Sequence, residues 1–415
     1  PGRAGGEGSG AEVTRAGDGA AALPAAGYAA VLCGQRRVEV RRYPLAPPPE
    51  DGALLGIGLA GICGSDLHRY QDVGDTLHLD LPVVMGHETA ARVLRAGSRA
   101  DLRTTAGERV VPGDRVVFYP HRPCGRCYWC REMGHTARCD GVPGQPRPAG
   151  YGYHFGRADA APHFTGGMAE YQYIGPGTWL WKVPPAMPWE VAVLTEPFSM
   201  GIRAVERALS LPSWKNEQTL AFGGTVVVLG AGSIGVLTAA AARIAGAGRI
   251  VLVGAPQGAL DSAVRAGVAD VTVDIAAVPP AERIRRVREL SVGGYGADVV
   301  FEAAGVPAAF LEGLEMLRPL GTYVELGCMA DTGKTVPLNV ARHLTQKDLA
   351  LYTVAAQPPQ AFGKALRCLE TAGKDIDFGA FVGLRVPVTE APRAFRLLEH
   401  ETEKPVKAAL IGAGY

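Results

Sequence analysis

Charge imbalance is almost missing from this chain: 42 Lys and Arg stand against 41 Asp and Glu, a formal +1 over 415 residues. So even a balance supplies no basic field for nucleic acid and no electrostatic hold on an anionic membrane surface. Long apolar runs are missing too, and none reaches the roughly 20 uninterrupted residues that cross a bilayer. No secretory pattern is visible near the start, where Gly and Ala dominate and Pro24 breaks the one apolar stretch. Cysteine is sparse, with eight in all. Without an export signal these are expected to be thiols or metal ligands rather than disulfides, which predicts a cytoplasmic protein. What remains, 47% hydrophobic and 20% charged residues, is globular, and the length calls for two domains.

The few cysteines are not scattered evenly. Cys124, Cys127 and Cys130 follow one another at intervals of three, with Cys139 close behind. Four thiolates at ~2.3 Å close a tetrahedral shell around zinc, a site that staples a lobe and leaves no position for chemistry. A pair of disulfides, or thiols without metal, would be the competing arrangement. A fifth cysteine stands in Gly61-Ile62-Cys63-Gly64-Ser65-Asp66-Leu67-His68, followed by Gly86-His87-Glu88. Cys63 and His87 are the donor types that zinc prefers, and a catalytic zinc needs a third protein ligand besides an open position. Glu196, in Thr195-Glu196-Pro197, is a candidate for it. Taken singly these residues also read as a buried thiol, a core histidine and a charge at a helix start. Taken together, with Ser65 and His68 placed as a hydroxyl–imidazole relay, they predict a catalytic metal centre.

The texture of the chain changes along its length. Residues 1 to about 26 are expected to be a flexible tail. Residues 27–192 read as short strands and loops punctuated by Gly and Pro, a β-rich barrel-like unit that includes the cysteine lobe at 121–142. From 193 to 355 the pattern becomes alternating. A helix is expected over Thr195–Leu209, and Thr225–Leu229 and Arg249–Val253 are β-branched runs of the kind buried on both faces of a parallel sheet. Further strands are expected at 271–273, 298–301, 322–326 and 350–354, six in all, giving a doubly wound α/β sheet. Residues 356–415 are expected to return to the first unit, with one helix and returning strands.

Between the first of those strands and its helix lies Gly230-Ala231-Gly232-Ser233-Ile234-Gly235. In that context the glycines predict a dinucleotide site: Gly230 for the turn, Gly232 for approach of the pyrophosphate, Gly235 for helix–strand contact, with Ser233 and Ile234 opening the helix. An acid that would bind the ribose 2′-hydroxyl is absent at the end of the second strand, where Gly254 stands. That removes discrimination against NADP, yet no Arg stands beside Gly254 to bind its phosphate. NAD or NADP is therefore expected, with NADP slightly favoured.

These motifs, with Gly113-Asp114-Arg115-Val116, Thr165–Tyr171, Glu196-Pro197 and Phe301-Glu302-Ala303-Ala304-Gly305, resemble the zinc-dependent medium-chain dehydrogenase/reductase superfamily, on its sorbitol and threonine dehydrogenase-like branch. The resemblance runs from about Tyr28 to Ile411. It implies an α/β architecture with a GroES-like β-rich catalytic domain and a Rossmann domain. It also implies hydride transfer between an alcohol, such as a polyol, an aminopolyol or another secondary alcohol, and NAD(P). Cys63 and His87 are similar to ligands of the catalytic zinc, and Glu88 to a third ligand or a carboxylate that exchanges with water. Glu196 would bind zinc or hold its water. Ser65 and His68 would relay the alcohol proton through the cofactor ribose, and Asp66 would orient the histidine ligand. A homodimer or homotetramer is implied as well.

Departures from the pattern are also present. Arg69 stands where an aromatic residue near the substrate is common, the spacing from Cys130 to Cys139 is one residue longer than usual, and Tyr151, Tyr153, His154 and Phe155 lie in an extended segment expected near the substrate entrance. A dinucleotide-binding protein that has lost catalysis, or a zinc-free reductase of the same fold, would be the alternatives.

Overall fold

The computed structural model describes residues 23–72, 81–141, 150–152, 156–210, 223–328 and 331–415. The expected tail thus lies almost wholly outside the described residues, as do Tyr153, His154 and Phe155. All-parallel pairing joins six strands in the order Val271–Asp274, Arg249–Gly254, Thr225–Leu229, Ala297–Glu302, Leu317–Glu325 and Ala350–Thr353. The sheet is Rossmann-type. Its strands are apolar on both faces because helices cover both sides: Ser233–Ile244 packs over Val226 and Val228, while Val227 and Val300 face a second cluster with Leu314. Strand order reverses between Thr225–Leu229 and Ala297–Glu302, which opens a crevice at their carboxyl ends.

A mixed sheet forms the GroES-like part. Its order is Val382–Pro387, Lys407–Ile411, Ala53–Ile62, Glu88–Ala96, Arg115–Phe118 and Leu180–Lys182, with Tyr171–Ile174 also pairing with Ala53–Ile62. Ala53–Ile62 is buried along its whole length, as befits a strand flanked by neighbours on both edges. Val382–Pro387 and Lys407–Ile411 are strands of this sheet, and two helices, Pro359–Ala372 and Ala391–His400, lie in the stretch where one was expected. Between the two sheets runs Thr195–Leu209. It approaches the first cofactor-sheet helix so closely that a Cβ on Gly201 would lie 3.0 Å from the Leu237 carbonyl oxygen. Among the described residues no helix is long and apolar enough to cross a membrane.

Candidate active site

Three strand ends meet at one place. Gly61 pairs with Glu88, and Ala408 with Ile62, so the register itself brings Cys63, Glu88 and Lys407 together. Cys63 then caps the helix Gly64–Gln71, and His87 directly precedes its strand. Donor atoms of Cys63, His87 and Glu88 all lie within 4.8 Å of one another. Room for this is made by Gly61, where a Cβ would fall 2.0 Å from Glu88 Oε2. Asp66 lies behind the histidine: its Oδ1 is 3.7 Å from His87 Nδ1, and its Oδ2 accepts from the Cys63 backbone N–H at 3.0 Å. This turns Nδ1 toward a carboxylate and leaves Nε2 for a metal. Arg69 is buried and directed at Asp66 Oδ1 (3.4 Å) and the Gly152 carbonyl oxygen (3.3 Å), so it braces Asp66.

The site is strongly electronegative. Burial, then the charge of Glu88, pushes the Cys63 thiol up to about 12. Burial likewise lifts Asp66 to about 6, and burial with the Glu88 charge lifts Glu196 to about 8. His87 is pushed down by burial and then by Arg69, so its imidazole is neutral and able to ligate. A thiol and three buried carboxylates against Lys407 and Arg69 form an environment that a dication suits. The donor set of thiolate, imidazole and carboxylate is one that zinc takes.

Glu196 is not in the three-donor group. It lies in the first turn of Thr195–Leu209, and its Oε1 accepts from Gln357 Nε2 at 2.6 Å. Two residues that no motif announced therefore shape the centre. Lys407 is buried, ion-paired to Glu88, and donates to the Ile62 carbonyl oxygen at 3.1 Å. Burial alone would lower its ammonium, but the Glu88 charge, with Cys63 and Glu196, leaves it raised. Gln357 stands just past the last strand of the parallel sheet, and its own carbonyl oxygen accepts from the Tyr119 hydroxyl at 2.8 Å. Ser65 and His68 lie three apart on one helix, and so on one face. The Ser65 hydroxyl is buried without a hydrogen-bond partner among the described residues, and burial lowers His68.

In the cysteine lobe the four sulfurs of Cys124, Cys127, Cys130 and Cys139 also fall within 4.8 Å of one another. All four are free thiols, and Cys127 Sγ lies 3.9 Å from Cys139 Sγ, far beyond the ~2.05 Å of a disulfide. Backbone N–H groups of Cys124 and Gly141 point at Cys139 Sγ at 3.1 and 3.2 Å, as suits a thiolate. Tyr151, expected near the entrance, is instead fully buried, stacked edge-on against Phe118 and hydrogen-bonded to Thr178 at 2.8 Å. It is a core residue.

At the phosphate loop, Gly230 has φ +105, and a Cβ there would lie 2.7 Å from the Ala304 nitrogen. One on Gly235 would lie 1.9 Å from the Gly230 oxygen. Among the described residues, nothing beyond its own chain neighbours comes within 4 Å of a Cβ at Gly232, which leaves room for a ligand. Gly232 caps the helix Ser233–Ile244 without a side-chain bond, leaving its first N–H groups for a phosphate. Gly254 is confined by sterics: a Cβ would sit 2.6 Å from the Ala231 nitrogen. The acid is missing because the strand end packs against the loop. Asp261 accepts from Gln257 inside the next helix at 2.6 Å, away from the strand end. On the other side of the crevice Glu302 accepts from the Ala304 and Gly305 backbones at 2.8 and 3.1 Å, and burial, then the Glu325 charge, lifts it to about 8.

Residues 49–185 match the alcohol dehydrogenase GroES-like domain, and residues 233–371 match the zinc-binding dehydrogenase family. D-xylulose reductase A of Aspergillus oryzae is 30% identical over 75% of this chain and 78% of its own length. The chain belongs to the zinc-dependent medium-chain dehydrogenases, on their sorbitol dehydrogenase-like branch. Sorbitol dehydrogenase of Bacillus subtilis is 29% identical over 75% of the chain and 77% of the relative. An alcohol dehydrogenase from Thermotoga maritima superposes with a TM-score of 0.81 at 26% identity, covering 93% of this chain and all but 1% of that one (99%). This medium-chain dehydrogenase is an enzyme, a zinc-dependent oxidoreductase of alcohols that uses a nicotinamide dinucleotide.

Proposed function

We propose that this dehydrogenase interconverts a polyol-type secondary alcohol and its ketone, at a centre held by Cys63, His87 and Glu88 beside the carboxyl edge of the cofactor sheet. The observation that carries this reading is the convergence of those three donors within 4.8 Å, with Glu196 tied by Gln357 to the end of the parallel sheet. A zinc ion bound there supplies Lewis acidity, which brings ionisation of an alcohol into the neutral range. Glu88 is the third protein donor. Glu196, with one oxygen committed to Gln357, presents the other to a substrate hydroxyl. Ser65 accepts the alcohol proton as its own hydroxyl proton passes on toward His68, one turn along, which hands a proton to solvent. A neutral imidazole, kept so by burial, is the right acceptor. A carboxylate oxygen of Glu196 offered to the substrate favours a hydroxyl-rich substrate over an apolar one. Cys124, Cys127, Cys130 and Cys139 hold a second, purely structural zinc.

The catalytic part is assigned to 27–192 with 356–415, and the dinucleotide part to 193–355. With no side chain tolerated at Gly254, neither NAD nor NADP is strongly rejected, and a slight NADP preference is assigned. The edge strand Ala350–Thr353 is assigned to pair across a two-fold axis in a homodimer or homotetramer. The free thiols suit the cytoplasm. The test is metal analysis joined to a dinucleotide-linked absorbance screen of polyols and simple secondary alcohols. Two zinc ions per chain and faster turnover of polyols are expected. One zinc, at the lobe alone, with no alcohol oxidised would overturn the assignment.

Gly254 gives a second expectation. Gly254→Asp should not convert the enzyme to strict NAD use. The new Cβ would strike Ala231, so affinity for NAD and NADP should fall together, by about tenfold or more if the clash and lost fit amount to ~1.4 kcal/mol. A clean rise in NAD preference with unchanged KM for NAD would contradict the packing argument.

A further inference from the structure

Where the cysteine lobe meets the helix Thr195–Leu209, one buried cation has, among the described residues, no carboxylate paired to it. Arg203 lies on Thr195–Leu209, seven residues beyond Glu196 and so on the same face, roughly 10 Å along the axis. It is 9% exposed. Its Nη2 faces His135 Nε2 at 3.2 Å, while its Nη1 is buried with no hydrogen-bond partner among the described residues. A guanidinium left this way inside a protein is expensive. The neighbours make it worse. Arg207 is its i+4 neighbour on the helix, and Arg138 ends the turn Thr136–Arg138 that follows His135. Both are exposed, and among the described residues neither has a carboxylate partner. Glu206, the acid beside them in sequence, is engaged by Lys364. His135 offers no negative charge: burial, then Arg203, Arg138 and Arg207, hold its imidazole neutral. Arg138 and Arg207 thus flank Arg203 at the junction of the cysteine lobe and the helix that carries Glu196, and among the described residues none of the three has a carboxylate in salt-bridge contact.

We propose that Arg138, Arg203 and Arg207, with His135, form a subsite for a phosphoryl group, carried either by inorganic phosphate or by a small phosphate monoester. The forked donors of arginine match phosphate oxygens, and a group bearing close to two charges answers three guanidinium groups better than a single carboxylate does. Occupancy would tie the lobe to the helix and relieve the unpaired charge of Arg203.

The test uses the zinc-loaded enzyme saturated with dinucleotide, so that the phosphate loop is already filled. Inorganic phosphate and glycerol phosphate are titrated separately by calorimetry, with sodium chloride holding ionic strength constant. One saturable site per chain is expected, weakened at least about tenfold in Arg138→Ala and in Arg207→Ala. Both replaced side chains are exposed, so folding and zinc content should be untouched. Arg203→Lys, which keeps the charge and loses the fork, should weaken it as well, while exposed Arg265→Ala should not. Binding of both probes identifies an open subsite, and binding of either one alone a subsite fitted to that probe; each supports the proposal. Absence of saturable binding by both, or affinity unchanged in Arg138→Ala and Arg207→Ala, overturns it. The readout is independent of turnover, so it stands apart from the substrate assignment.

Discussion

Cys63→Ala is expected to lower kcat by about 10³-fold or more, while dinucleotide affinity stays within a few-fold of the parent. The size follows from what one electrostatic contact to the reacting oxygen contributes in a preorganised site, with loss of the metal taking everything that contact supplied. The separation of effects follows from geometry. Cys63 caps a helix of the mixed-sheet part, whereas Gly230, Gly232 and Gly235 belong to the parallel sheet and the helix Ser233–Ile244. Zinc content should fall from two per chain to one, with the lobe cysteines keeping theirs. Steady-state kinetics, dinucleotide fluorescence titration and metal analysis on one preparation check all three. Retention of full activity, or equal loss of dinucleotide binding, would mean that Cys63 does something else.

Lys407→Met is expected to be the most destabilising replacement away from the metal ligands. The ammonium is ion-paired to Glu88, and both side chains are essentially buried, at 1% and 0% exposure. Removing one partner leaves the other charged and stranded, a loss of roughly 3–5 kcal/mol. Urea unfolding of the metal-free protein should show it as a lower midpoint. Glu88→Gln combined with Lys407→Met should recover much of that loss, because no isolated charge is left in the interior. If the double variant is as unstable as the sum of the singles, the two side chains are not acting as a pair.

The cofactor sheet was readable because its strands are buried on both faces, so runs such as Val226-Val227-Val228 and Ile250-Val251-Leu252-Val253 had to be continuously apolar. Where that condition fails, the pattern fails. Arg37–Pro44 pairs on one side only and carries charges along most of its length, which hides it as a strand. Leu317–Glu325 carries Arg318, Pro319 and a Leu320 at φ +61 near its start, so only its second half looks extended. In the catalytic part, Cys63 and His87 stood out by residue type. The division of labour proposed for Glu88 and Glu196 did not, because it rests on Lys407 and Gln357, and nothing local marks either one. Lys407 opens an ordinary strand and Gln357 a proline-rich turn. Tyr151 misled for the opposite reason: an aromatic-rich segment looks the same whether its rings line a mouth or fill a core.

Pairing of Ile62 with Ala408 has an implication for biogenesis. The lysine that neutralises Glu88 reaches back across 345 positions to the Ile62 carbonyl, so it leaves the ribosome only after the parallel sheet and every other strand of the mixed sheet have been synthesised. Until then a nascent chain carries the acidic half of its reaction centre uncompensated, next to a strand edge still waiting for its neighbour. Such a late, long-range closure is slow by nature, and it makes the strand Lys407–Ile411 a checkpoint: chains broken off before it should be unable to assemble a working centre and should be prone to aggregate through that open edge.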